Sequence, residues 1–167
     1  MLAPQVRKTW APKGKTPIHR HRYKHDKLSV ISGLSISPRR KHFGLYFSFD
    51  EANFRSPQVA DFLRYLLRHL RGKVIVVWDN ASIHKGEPIR ALLRRSRRLH
   101  LEALPPYAPE LNPAEGIWSQ AKRSLANGRP EGVEDLLDDV GDALVGIGFS
   151  QSLLRACVKQ SDLPFFD

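Results

Sequence analysis

Between residues 27 and 37 apolar and small polar positions alternate. Leu28, Val30, Ser32, Leu34 and Ile36 interleave with Ser29, Ile31, Gly33 and Ser35, and this period of two predicts a strand. The period returns at Phe43 to Phe49, with Phe43, Leu45, Phe47 and Phe49 on one face. Pro38-Arg39-Arg40-Lys41 is the turn between the two runs, so together they predict a β-hairpin. The spacing then becomes helical. Val59, Phe62, Leu63, Leu66, Leu67 and Leu70 share a face, with Arg64, Arg68 and His69 opposite, Ser56 as N-cap, Pro57 in the first turn and Gly72 as the stop. Val74 to Trp78 is an unbroken, β-branched apolar run that predicts a fully buried strand ending on Asp79.

The alternation of helix and strand continues. Pro88 to about Arg95 predicts a helix with Ile89, Leu92 and Leu93 inward, and Leu99, Leu101 and Ala103 mark the next strand. A Pro-rich turn leads to Asn112, the N-cap of a helix from Pro113 to about Ala126 that packs Ala114, Trp118, Ala121 and Leu125 and stops at Gly128. After Pro130, Val133, Leu136, Leu137, Val140 and Leu144 face inward, while Glu131, Glu134, Asp135, Asp138 and Asp139 form a solvated face. A short helix around Ser152 to Val158 and the aromatic tail Phe165-Phe166 are expected to cover one edge of the sheet.

This order predicts one α/β domain, a sheet flanked by helices. Its parts are an extended, basic, turn-rich segment over 1–26 broken by Pro4, Pro12, Gly14 and Pro17, a core over 27–127, and C-terminal helices over 128–167. A chain of 167 residues is long enough for a sizeable core.

Within this frame the chemistry gathers at two acids. In open α/β sheets ligands bind at the carboxyl ends of the strands, where Asp79 stands. Glu115 lies at a helix start, with 35 residues between it and Asp79. Two convergent carboxylates suit a hard cation such as Mg²⁺, completed by water and substrate phosphate. Asn112-x-x-Glu115 is equally a capping-box spacing, in which the Glu side chain bonds back to the N-cap amide. The acidic pair Asp50-Glu51 reads as a hydrophilic loop edge. His19, His21 and His25, set among Arg20, Arg22 and Lys24, read as a solvated basic strand or phosphate-contacting face rather than a metal cluster.

Charge sharpens the choice of partner. Twenty-seven Lys and Arg against 17 Asp and Glu give a net charge of +10, which favours polyanions and salt-dependent binding. Arg90, Arg94, Arg95, Arg97 and Arg98 put five arginines in nine residues, either a solvated helix face or a phosphate-gripping patch; Lys122 and Arg123 are further candidates for DNA contact. The single Cys157 excludes an internal disulfide and fits a reducing cytoplasm. No apolar run reaches the roughly 18–20 residues of a membrane span, and Met1-Leu2-Ala3-Pro4 lacks the apolar core of a signal peptide.

Trp78-Asp79-Asn80 with His84, followed by Pro105-Pro106-Tyr107-Ala108-Pro109-Glu110-Leu111-Asn112-Pro113-Ala114-Glu115-Gly116-Ile117-Trp118, resembles the second Asp and the Glu of a DDE transposase, in the bacterial insertion-sequence branch of the mariner-like superfamily. Thr9-Trp10-Ala11-Pro12-Lys13-Gly14-Lys15-Thr16-Pro17 extends the likeness, which covers about residues 1 to 127. The resemblance implies an RNase H-like fold and two Mg²⁺ or Mn²⁺ ions clamping a scissile phosphate. It implies Asp79 as bridging ligand, Glu115 as ligand of one ion, and His84 and Asn80 as accessory groups, His84 contacting the phosphate, orienting Asp79 or packing at a helix start.

The family's first Asp, and the central strand that carries it, have no counterpart from Met1 onward, nor has its N-terminal helix-turn-helix region. Asp26, Asp50 and Glu51 are poor substitutes. The expected partners are therefore double-stranded DNA at transposon ends and target, an upstream polypeptide supplying the missing acid and the helix-turn-helix domain, and a second copy of the chain. The alternative is an inactive basic remnant that binds DNA or dimerises.

Overall fold

The computed structural model describes residues 11–15, 28–37, 39, 41–125 and 132–163. Strands β1 (Ser29–Ser37) and β2 (His42–Asp50) pair antiparallel, with Val30 opposite Phe49, Leu34 opposite Leu45 and Ile36 opposite Phe43. That register collects the predicted apolar set on one face. There it packs on α3 (Pro113–Ser124), α4 (Val133–Phe149) and α5 (Gln151–Gln160), whose Ile117, Val140, Leu144 and Leu154 are completely buried. Gln151 of α5 grips the hairpin through both halves of its amide, accepting from Phe43 N at 3.0 Å and donating to Phe43 O at 2.7 Å.

A second core lies on the other side of the hairpin, where Ile31 and Tyr46 meet α1 (Ser56–His69). Helices α1 and α2 (Glu87–Arg95) bury Val59, Phe62, Leu63, Leu66, Ile89 and Leu92 against one face of a parallel pair, β3 (Val74–Trp78) and β4 (Leu99–Ala103). Val74 lies opposite Leu99 and Trp78 opposite Ala103, so both strands end at the same edge.

Several expectations need correction. Among the described residues the strands form two two-stranded sheets, β1 with β2 and β3 with β4. Strand β3 is half-buried rather than fully buried. Val74, Val76 and Trp78 face the helices, whereas Ile75 is 66% exposed and Val77 36%, because no element covers that face among the described residues. Arg55, not Ser56, is the N-cap of α1. Ser56 is its first residue, and its hydroxyl donates to the carbonyls of Ile83 and Lys85. In α3 the buried stripe is Ile117 and Ala121, with Trp118 and Leu125 only partly covered. Gly116 lets α3 approach Cys157 of α5 closely, and Ile117 beside it is completely buried. The segment 16–27, with its histidines and Asp26, lies outside the described residues, as do Gly128 and Phe165-Phe166.

Candidate active site

Parallel pairing brings the ends of β3 and β4 together, and the chain leaves both strands into one pocket. Leu104 N donates to Trp78 O at 2.7 Å, and the Asn80 side-chain amide donates to Leu104 O at 2.6 Å. Asn80 therefore ties the two strand ends together.

Asp79 follows Trp78 directly. Its Oδ1 accepts from Ala81 N at 3.0 Å and lies 2.9 Å from His84 Nε2. Its other oxygen carries no hydrogen bond among the described residues. His84 sits in a short 3-10 turn, Ser82–His84, which the Ser56 hydroxyl pins to the start of α1. Its ring stacks on Trp78 with centroids 4.4 Å apart and 13° between planes. Burial holds the imidazole below its ordinary value, against the opposing pull of the Asp79 charge and hydrogen bond. The ring is thus neutral at neutral pH and donates from Nε2, a hydrogen bond rather than an ion pair. Nδ1 is buried with no partner among the described residues. His84 thus both contacts Asp79 and packs on Trp78.

Glu115 enters from α3. Asn112 Oδ1 accepts from Ala114 N at 3.1 Å and so caps the helix, while Asn112 N donates to Pro109 O at 3.0 Å. With that amide taken by Pro109, no capping box forms. The Glu115 side chain is exposed and makes no hydrogen bond among the described residues. Asp79, Asn80, Asn112, Glu115 and the loop from Leu104 to Pro109 line one pocket of about 390 Å³.

The donor set fits a hard cation in part. Two carboxylates with unbonded oxygens face one pocket, which matches the way Mg²⁺ is held by one or two carboxylates while it keeps water and phosphate. Among the described residues no three His, Cys, Asp or Glu side chains cluster tightly enough to hold a metal ion. Asp50 accepts from Ala52 N at 2.8 Å in a local turn, and neither it nor Glu51 lines the pocket.

The arginines of the basic run are held in several ways. Among the described residues no Lys or Arg lines the pocket. Val74 N donates to Arg98 O, so Arg97 and Arg98 stand at the starting ends of β3 and β4, about five strand residues or roughly 16 Å from Asp79. The Arg98 guanidinium donates to the carbonyls of Gly72, Leu67 and Leu70, closing the end of α1. Arg90 and Arg94 pair with Glu87. Arg95 and Arg97 make no ion pair among the described residues. Lys122 lies seven residues beyond Glu115, two turns along nearly the same face of α3, and Arg123 beside it bonds to Ser119 O at 3.3 Å. Ser56, read from the sequence as an N-cap, instead fixes the His84 turn, and Tyr107, named there only within the family motif, stands in the pocket lining.

The fold has solved counterparts. A pre-cleavage Mos1 transpososome matches with a TM-score of 0.58 and 16% identity, over 99% of this chain and 54% of that one. A Mos1 mariner paired-end complex with Mn matches with a TM-score of 0.57 and 18% identity, over 99% and 53%. The Mos1 strand transfer complex matches with a TM-score of 0.53 and 19% identity, over 99% and 52%. The chain thus spans about half the length of these solved chains. The likeness carries the fold, the RNase H-like α/β architecture. No curated protein sequence matches. Residues 1–137 match the sequence family described as DDE superfamily endonuclease, and the chain belongs to that family.

Proposed function

We propose that the chain is the catalytic domain of a transposase that cuts and joins DNA strands at transposon ends, with Asp79 and Glu115 as its divalent-metal ligands. The observation that carries this reading is the presentation of unbonded Asp79 and Glu115 carboxylate oxygens to one pocket. Mg²⁺ or Mn²⁺ bound there would supply Lewis-acid activation of a phosphodiester and of the attacking water or 3′-hydroxyl. The chain's own part is to orient. His84 Nε2 and Ala81 N fix one Asp79 oxygen and leave the other for the cation. Net charge supplies the sequence-independent hold on duplex DNA. Arg95, Arg97 and Lys122 are the contacts we assign to phosphates, together with the outer faces of Arg90, Arg94 and Arg123.

Two metal ions need a third acid, which we assign to an upstream polypeptide. Among the described residues, strands β1 and β3 each pair along one edge only. A further strand between them would pair with those free edges and bring an acid to the end of the sheet where Asp79 stands. On this reading the 167-residue chain alone does not cut DNA at a useful rate, and it works in a cytoplasmic complex that includes a second copy.

Mn²⁺ titration followed by electron paramagnetic resonance tests the ligand assignment. One site is expected, lost in Asp79→Asn and in Glu115→Gln; no bound Mn²⁺ in the parent chain overturns it. Cleavage of transposon-end DNA with and without the upstream polypeptide then tests completeness. Metal-dependent cleavage by this chain alone, abolished by Asp79→Ala, would place the third acid within it. The absence of a three-ligand cluster among the described residues favours a second reading, an inactive DNA-binding or dimerising remnant. That reading gains if DNA binds, Mn²⁺ does not, and the upstream polypeptide restores no cleavage.

A further inference from the structure

Tyr107 combines three features that packing does not explain. Its side chain is completely exposed, at 101%. Its backbone lies in the left-handed region at φ 59, where bulky L-residues rarely sit. It also lines the same pocket as Asp79 and Glu115.

The loop that holds it is stiff. Pro105 and Pro106 precede it and Pro109 follows, each with a fixed φ. A proline followed by a left-handed residue is the order of a type II turn, whose second place normally goes to Gly or Asn. The base of the loop is tied down by Leu104 N on Trp78 O and by the Asn80 amide on Leu104 O. Its far end is held by the capped start of α3. The chain thus keeps an aromatic ring where glycine fits the backbone better, and holds it in water beside two carboxylates.

Other exposed aromatics differ. Tyr65 is partly covered and lies against the rings of Tyr46 and His69. Phe149 ends α4 and lines no part of the pocket.

We propose that Tyr107 is a stacking platform for an unpaired nucleobase next to the phosphodiester held at Asp79 and Glu115. This inference rests on reading the pocket as a DNA-cleavage site. The chemistry selects the ligand. An aromatic face at the rim of a phosphate-binding, cation-binding pocket meets the base attached to that phosphate or its neighbour. Every base has a π-face, so the contact is tolerant of sequence. A base in an intact duplex already stacks on both sides, so the platform serves a frayed or single-stranded position at a cut end. Tyr107 is then a residue that binds and positions the strand, and transfers no proton.

The experiment uses the full chain with two DNA probes, a blunt duplex and the same duplex with one unpaired 2-aminopurine at a 3′ end, in Ca²⁺ to prevent cleavage. The parent chain is expected to quench the unpaired 2-aminopurine and to prefer the overhang probe. Tyr107→Ala should lose the quenching and weaken binding of the overhang probe by about 5- to 150-fold, the range of one base–aromatic stack. Its affinity for the blunt duplex should stay unchanged, and Tyr107→Phe should behave like the parent. Circular dichroism of each variant checks the fold, and the fully exposed ring leaves no cavity when removed.

Binding of both probes with equal affinity and no quenching overturns the Tyr107 inference and leaves the proposed function standing. No binding of either probe overturns both. A Tyr107→Ala variant that changes only the mass of the particle in solution assigns the ring to a protein interface and overturns the stacking role.

Discussion

Asn112 caps the helix that carries Glu115 without the help of Glu115. The cap is the Asn112 side chain on Ala114 N, and the amide that a capping box would need donates instead to Pro109 O. The two residues therefore separate cleanly in a mutational test. Asn112→Ala is expected to lower stability by about 1 kcal/mol, the ordinary cost of losing an N-cap. Glu115→Gln removes an exposed, unbonded carboxylate, so its effect on stability should stay within about 0.5 kcal/mol. Urea denaturation of the two variants measures both. A loss of 1 kcal/mol or more in Glu115→Gln would mean that the carboxylate is a structural cap after all.

His84 joins Trp78 to Asp79: its ring stacks on the one and its Nε2 lies 2.9 Å from the other. On the proposed metal site it acts as a positioning residue, and removing a partner that orients a ligand typically costs 10- to 100-fold in metal affinity. His84→Ala is thus expected to weaken Mn²⁺ binding by about that factor while the far-ultraviolet dichroism is retained. His84→Gln, which keeps a donor within reach of Asp79, should recover part of the loss. Equal, undiminished affinities in both variants would leave His84 as a packing group only.

Much of this site is legible in the chain and part of it is not, for physical reasons. Asp79 and Glu115 could be read because a strand end and a helix start are local features, marked by an apolar run and by Asn-Pro. The release of Glu115 from its cap could not be read, since it depends on whether Pro109 O reaches the Asn112 amide first. Ile117 is buried in one cluster with Cys157, 40 positions away in sequence, whereas helical spacing alone favoured Trp118. The exposure of Ile75 and Val77 is likewise a matter of what lies over β3. The arginines show the same limit: periodicity puts Arg98 at the end of a basic run, and only the fold turns its guanidinium onto the carbonyls of α1.

Arg98 and Arg95 are then expected to behave as opposites. Arg98→Ala removes a charged donor from the Gly72, Leu67 and Leu70 carbonyls and should destabilise the chain by about 1 kcal/mol, the lower part of the range because the site is exposed. Arg95→Ala should leave stability unchanged and lower duplex affinity, with the slope of log affinity against log salt reduced by about one. Thermal melts and salt titrations on the same two proteins decide the matter. A reduced salt slope for Arg98→Ala at unchanged stability would restore it to the DNA-contacting set.

The Glu87 carboxyl is held below its ordinary value, first by its hydrogen bond to Arg94 and then by the charge of Arg94 and by Arg90. A carboxylate with a lowered folded pKa stabilises the fold above its unfolded value, and that contribution is lost as pH falls through the folded value. The group is fully exposed, so the effect should be small and screened by salt. In low salt, acid unfolding of Glu87→Gln should start from a slightly less stable protein at pH 7 and lose less of its stability below about pH 4.5 than the parent. Identical pH profiles for the two proteins would show that the arginine pairs contribute nothing measurable.

Gly116 follows Glu115 and faces Cys157 across the α3–α5 contact. A Cβ added there would lie 3.1 Å from Cys157 Cβ, 3.2 Å from its Sγ and 3.4 Å from its Cα. These distances are tighter than normal packing, and most of the obstruction is backbone and Cβ, which cannot rotate away. Gly116→Ala should therefore push α3 from α5 and destabilise the chain by about 1–3 kcal/mol, despite the better helix propensity of alanine. Removing the sulfur as well, in Gly116→Ala with Cys157→Ala, relieves one of the three contacts and should restore only part of the stability. The thiol reports the same event independently. Cys157 is 3% exposed, and burial raises its thiol above the ordinary value, so alkylation of the native parent should be slow. In Gly116→Ala the opened contact should let the reagent in faster. Because α3 carries Glu115 to the pocket at its first turn, the same variant should also lose Mn²⁺ affinity. A Gly116→Ala protein as stable as the parent, with an equally protected thiol, would show that α3 and α5 adjust freely and that their contact does not set the position of Glu115.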